Sequence, residues 1–194
     1  VSYYYLASSL PALTLGEPPP ISLEAFRASI EPILKEEDLA EFDCVTQGRF
    51  AEASSAFARA WHDADTQVRN AVARARANRR SADVKPFLQE HEGFSVTIDR
   101  MVTDAYAKPN PLERDLELDR VRWKLLGDMA TEAPFGLPAI LAFAKQLQLA
   151  QRWAAMDEEQ GQERVEAFIR KQIAEEGTLV GQAGLAEVEK DEEK

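Results

Sequence analysis

Apolar residues recur at steps of three and four along most of the chain, and clusters of proline and glycine cut that pattern into segments. Amphipathic helices joined by short breaks produce such a pattern, so it predicts an all-α fold. The best-marked stretch is 110–157, which reads as two long helices folded against each other across a Pro/Gly corner. Asn110 supplies a cap and Pro111 takes the first helical position, where its missing N–H costs nothing. Glu113 stands where it reaches back to the Asn110 N–H. At about 100° per residue, Leu112, Leu116, Trp123 and Leu126 form one stripe and Leu118, Val121, Leu125 and Met129 a second, so this helix packs on two sides. Glu113, Glu117, Arg120, Lys124 and Asp128 make its solvent side. Asp115, Asp119 and Arg122 project between the stripes, with Asp119 and Arg122 spaced to pair.

The corner is Thr131 to Pro138, interrupted by Pro134, Gly136 and Pro138. Beyond it Leu137, Ile140, Leu141, Phe143, Leu147, Leu149, Trp153 and Met156 cover most of a helix circumference, and Lys145, Gln148 and Arg152 mark a narrow polar strip. A helix that is apolar nearly all round is either the centre of a bundle or half of a protein interface. Trp123 and Leu147 are assigned to the core. For Leu149, Trp153 and Met156 a core role and a partner-facing role both stay open.

Upstream, Val1 to Leu6 is aromatic and fits a short strand or a first helical turn. The stretch SSLPALTLGEPPPIS is an extended arm held down by Leu10, Leu13 and Leu15. Ser22 caps a helix through Leu23, Phe26, Ile30, Ile33 and Leu34, which Pro32 kinks or splits; Asp38 caps a short helix with Leu39, Phe42 and Val45, ended by Gly48. Residues 50–80 are the longest helical pattern, free of glycine and proline. Phe57, Trp61, Ala64, Val68, Ala71 or Val72, and Ala75 form a seam of mostly small residues that lets a partner helix approach. The acids of this helix lie early (Glu52, Asp63, Asp65) and its arginines late (Arg69, Arg74, Arg76, Arg79, Arg80), as the helix dipole favours. A sharper reading makes Arg69, Arg76 and Arg80 a basic patch for a phosphate or an acidic partner.

The segment 81–94 breaks the pattern with Pro86 and Gly93 and is expected to be a mobile loop with a short turn around Phe87 and Leu88. Ser95 to Ala107 resumes as a helix through Ile98, Met101, Val102, Ala105 and Tyr106. After Met156, Asp157 caps a last helix carrying Val165, Phe168, Ile169 and Ile173, which Gly177 stops. The expected organisation is a helical domain over 1–176, with an extended arm at 1–21 and a loop at 81–94, followed by an acidic flexible tail at 177–194. The domain reads as an irregular bundle of about six or seven helices with a Pro-rich N-terminal arm.

Composition adds limits. A chain of 194 residues with 45% apolar content supports one sizeable core. The formal net charge of −11 argues against nucleic acid, or an anionic membrane surface, as the main partner. No apolar run reaches the roughly 18 residues of a spanning helix, and the opening VSYYYLASSL lacks the basic region and apolar length of a signal peptide. A cytoplasmic protein is therefore expected, without direct membrane insertion. The single Cys44 excludes an internal disulfide and reads as a small core residue.

No catalytic, cofactor or metal motif is recognisable. His62 and His91 are the only histidines. Trp61-His62-Asp63 superficially resembles the His-Asp pair of metal-dependent phosphohydrolases, whose metal needs further histidines. Neither histidine has the Glu three positions before it that a di-iron carboxylate site requires. There is no GxxxxGK phosphate loop and no GxSxG elbow. Asp115 and Asp119 beside Arg122 read as a structural ion network, with general acid–base use, assisted by His62 or His91, as the enzymatic alternative.

Several pieces carry a resemblance: YYYLASSLPAL with the following PPPIS and SLEAF, the EEDLAEFD corner, NPLERDLELDRVRWKLLGDM, and LAFAKQLQLAQRWAAMDEEQG. Together, over most of residues 3–161, they resemble a bacterial family of unknown function encoded beside subunits of V/A-type rotary ATPases. The resemblance implies a non-catalytic helical subunit or assembly factor acting in coupling or assembly through protein–protein contacts. Its partners would be central-stalk or rotor subunits, and it would sit peripheral to the membrane through that complex. A relation to the helical socket subunit that joins stalk to rotor ring, called C in bacterial enzymes and d in eukaryotic ones, is also implied. The alternative is a free-standing helical adaptor or regulator that binds another complex through the 50–80 helix. On either reading Arg69, Arg76, Arg80, Leu149, Trp153 and Met156 are the candidate partner-binding residues.

Overall fold

The computed structural model describes residues 2–156 together with Phe168 and Arg170. Between residues 4 and 154 the chain forms seven α-helices: α1 Tyr4–Ser8, α2 Leu23–Ile30, α3 Glu36–Gln47, α4 Ala56–Arg80, α5 Val96–Tyr106, α6 Pro111–Glu132 and α7 Leu137–Ala154. A 3₁₀ turn, Lys85–Phe87, lies between α4 and α5, and no strand occurs among the described residues. Two compact units are distinguished, Val1–Ala154 and Ala155–Lys194. In the second, Phe168 and Arg170 are helical and Phe168 is exposed. The rest of the expected last helix and the 177–194 tail lie outside the described residues.

Side-chain caps start the helices where polar residues precede apolar stripes. The Ser22 Oγ accepts the Ala25 N–H, the Ser55 Oγ accepts the Ala58 N–H, and the Asn110 Oδ1 accepts the Leu112 N–H at 2.9 Å. Gly48 closes α3 in the left-handed region at φ 75°, where a Cβ would be strained. Two expected boundaries move. The cap of α3 is Lys35, not Asp38, because the Asp38 carboxylate is taken by the Tyr3 hydroxyl. The long pattern of 50–80 becomes helical only at Ala56, because the Glu41 carboxylate accepts the N–H groups of Ser54 and Ser55 at 2.9 and 3.0 Å and fixes the entry. Pro32 splits the second expected helix: α2 ends at Ile30 and a turn carries Leu34 into the core.

The helix α7 is the centre of the first unit. Eight of its residues are buried, among them Ile140, Leu141, Ala144, Leu147 and Ala150 with no exposed surface. It pairs with α6 along one side, while α2 and α3 cover another. There Phe26 meets Phe143 at 4.8 Å between ring centroids and Phe42 at 6.0 Å. Leu6, Leu10, Leu13 and Ile21 of the N-terminal arm pack against this cluster, so the arm is held down as expected, and its opening residues form α1. A second cluster lies between α4, α5 and α6, built on Val68, Ala71, Ile98, Val102, Leu118 and Val121. Leu125 touches both clusters, which is how the two apolar stripes of α6 are used. Leu112, placed by its spacing on one of those stripes, is 58% exposed, because it stands in the first turn, before either cluster begins.

Candidate functional site

The face of α4 that carries Arg69, Val72, Ala73, Arg76, Ala77 and Arg80 is one stripe at helical spacing, and it lines a cleft of about 710 Å³. Opposite stand Asp115, Leu118, Asp119 and Arg122 of α6, with Arg152 of α7 at one end and Asp83 and Phe87 at the other. The three arginines singled out on α4 therefore do share a site. Five arginines line it with three aspartates, and buried Asp65 beneath makes a fourth acid, which leaves a small excess of positive charge on a chain whose net charge is −11.

The floor of the cleft is a buried ion network. Asp65, 9% exposed, accepts from Arg69 Nε and from Arg122 Nε, each at 2.8 Å. Asp119, 1% exposed, accepts from Arg122 Nη1 at 3.0 Å, from the Trp153 indole N–H at 2.8 Å and lies 3.2 Å from Arg152 Nη2. The expected Asp119–Arg122 pair is thus present, but as one link of a chain that joins α4, α6 and α7. Burial by itself would push the Asp65 carboxyl up; the guanidiniums of Arg122 and Arg69 overcome it and hold the group below the usual carboxylate range. Burial would likewise favour neutral Arg122, yet Asp65 and Asp119 hold its pKa above the ordinary arginine value. Lys145 on α7 has its pKa lowered by burial, against the pull of Asp65 and with the repulsion of Arg69 and Arg122.

Above this floor the guanidiniums are less engaged. Arg76 donates its Nε–H to the Tyr106 hydroxyl at 2.9 Å and has no carboxylate partner among the described residues. The Arg80 side chain has neither a hydrogen bond nor an ion pair among the described residues. The segment after α4 is held in place by side chains of the helix: Asn70 clamps Gln89 through both amide atoms at 2.7 and 2.9 Å, Gln67 does the same for Ser95, and Asp63 accepts the Glu92 N–H at 3.1 Å. The stretch expected to be mobile is therefore fastened to α4, and it presents Phe87, 70% exposed, at the rim of the cleft.

The other candidates divide. Leu149 is half-buried against the α7 core, and Trp153 is half-buried with its indole N–H on Asp119. Met156 is 47% exposed and belongs to the second unit. Of the residues proposed for acid–base use, Asp115 is exposed, His62 stacks on Phe50 at 5.1 Å between centroids, and His91 lies with its Nδ1 3.4 Å from the Glu92 carbonyl. Neither histidine is hydrogen-bonded to Asp115, Asp119 or Arg122. Among the described residues no group of three or more His, Cys, Asp or Glu is placed to hold a metal, and no helix is long and apolar enough to cross a membrane. Arg152 and Phe87 on the cleft wall, and Asp65 beneath it, share no local sequence pattern that joins them. The one signal for Asp65 is its position on the stripe Trp61, Asp65, Val68, where an acid amid apolar neighbours implies a buried cation opposite.

Residues 95–176 match the family described as a protein of unknown function, DUF2764. The match takes in α5, α6 and α7, so it includes the Asp119 and Arg122 side of the cleft, while the arginine face of α4 precedes it. No curated protein and no solved structure matches the chain.

Proposed function

We propose that this protein is a non-catalytic helical subunit or assembly factor that works through protein–protein contacts, in the setting of a V/A-type rotary ATPase. The link to that machine rests on the resemblance carried by YYYLASSLPAL, EEDLAEFD and the 110–129 and 141–161 segments. The observation that carries the interaction role is the cleft on α4. It combines exposed arginines with an apolar wall and Phe87, and its buried acids are occupied as counter-ions to Arg122, Arg69 and Arg152. A surface of that make-up recognises a partner by charge and shape. On this reading the protein stays in the cytoplasm, peripheral to the membrane through the complex. The apolar surface of α7 serves its own core.

The test is affinity purification of the tagged chain from its native host under mild conditions, with mass spectrometry of what accompanies it. Central-stalk or rotor subunits in stoichiometric amount support the proposal. One unrelated complex in their place would make the protein a free-standing adaptor, and recovery of the chain alone would overturn both readings.

A further inference from the structure

We propose that the cleft between α4, α6 and the Asp83–Phe87 segment binds a short acidic peptide segment of a partner protein. A carboxylate would sit between Arg76 and Arg80, with a neighbouring apolar side chain on Val72, Leu118 and Phe87. The inference rests on the interaction role proposed above and names the chemistry that the partner must present.

Three observations carry it. Arg76 and Arg80 are one turn apart on one face of α4, and between them they hold N–H donors that no described carboxylate uses. A planar guanidinium pair of this kind takes a carboxylate through charge-assisted, often bidentate, hydrogen bonds. Next to it the wall is apolar, and Phe87 stands 70% exposed at the rim, a ring that gains by being covered. The field decides the kind of anion. A long polyanion would feel the −11 net charge of the whole chain, whereas at physiological salt screening over about 8 Å leaves a short segment subject mainly to Arg76 and Arg80, with Asp83 and Asp115 as the acids lining the same cleft. Asp115, exposed across the cleft on α6, opposes a second negative charge and so favours a single carboxylate over a phosphate dianion. Arg69, Arg122 and Arg152 are spent on Asp65 and Asp119 and hold the floor in place.

The experiment titrates the full chain, by calorimetry, with an acetylated and amidated hexapeptide alternating glutamate and leucine. The glutamine/leucine peptide and inorganic phosphate serve as controls. The glutamate peptide is expected to bind saturably and the glutamine peptide about tenfold more weakly. Arg76→Glu/Arg80→Glu is expected to weaken the glutamate peptide about a hundredfold, and Asp115→Asn to strengthen it about threefold, with circular dichroism unchanged in both. Because the two variants shift affinity in opposite directions, loss of folding cannot mimic the result. Equal binding of the two peptides, binding of neither, equal competition by phosphate, or no gain with Asp115→Asn overturns the assignment. The native-host purification separates this failure from that of the broader reading. Partner subunits that still accompany Arg76→Glu/Arg80→Glu undiminished would sink the cleft and leave the interaction role standing. Peptide binding without any co-purified partner would do the reverse.

Discussion

The α6–α7 hairpin is sealed differently on its two sides. Towards α2 and α3 the contact carries no ion pair among the described residues: Phe26, Phe42, Phe143 and Leu147 fill it, and the Gln148 side-chain N–H is donated to the Thr46 carbonyl at 2.8 Å. Towards α4 the helices are also tied by Asp65, Asp119, Arg69, Arg122 and Arg152. The first side is tolerant in kind, since any well-fitting apolar set would close it. The second is intolerant of losing one member, because a buried charge left alone is costly. What the ion network contributes is the placement of α4, and with it the arginine face that opens to solvent.

The sharpest way to break this contrast is a pair of substitutions followed by chemical denaturation. Leu147→Ala leaves a cavity beside α7 and is expected to cost about 2–5 kcal/mol. Asp119→Ala leaves Arg122 with Asp65 alone and takes the acceptor from the Trp153 indole N–H, and is expected to cost about 1–3 kcal/mol. The two sides then differ in coupling. Asp119→Leu combined with Arg122→Met should lose less than the sum of the two single losses, and near-additive losses in that pair would show that the ions act independently. The next effect is in pH. Asp65 has its folded pKa below the unfolded value of about 3.9. Its contribution is therefore full above that value and is lost as the pH falls through the folded one. Denaturation between about pH 5 and 2 should show a shallower loss in Asp65→Asn than in the wild-type chain, and parallel curves would refute the assignment.

A smaller effect has the opposite sign. Lys145 carries a charge that burial disfavours at neutral pH, with Arg69 and Arg122 adding repulsion, so Lys145→Met is expected to stabilise by about 1 kcal/mol in the same assay. The smallest lies at the end of α4. Ser81 caps the helix in the left-handed region at φ 51°, and Ser81→Gly should add about 0.5 kcal/mol of stability.

The apolar side was legible in the sequence for a physical reason. Periodicity reports which residues face inward, and that placed Phe57, Trp61, Val68, Ile140 and Leu147 correctly. It does not report where a neighbouring helix ends, which is why Leu112 was assigned to a stripe and is exposed. The cap at Asp38 was misplaced by a contact with Tyr3, 35 residues away. The polar side was half legible. Asp119 and Arg122 pair locally, and Arg69, Arg76 and Arg80 share a face; both follow from helical spacing. Asp65 meets Arg122 across 57 residues, and Trp153 meets Asp119 across 34; no local pattern encodes such pairings. Phe87 stands at the cleft two residues before Gln89, which Asn70 clamps to α4 across 19 residues.

On the proposed function, this arginine face, and not the apolar surface of α7, is what the protein offers to others. The most direct measurement is a quantitative comparison of partners co-purified from the native host by the tagged wild-type chain and by Arg76→Glu/Arg80→Glu. Rotary-ATPase subunits are expected to accompany the wild-type chain and to fall at least about tenfold in the variant, with circular dichroism checking that its fold is retained. Equal recovery by both chains would contradict this reading.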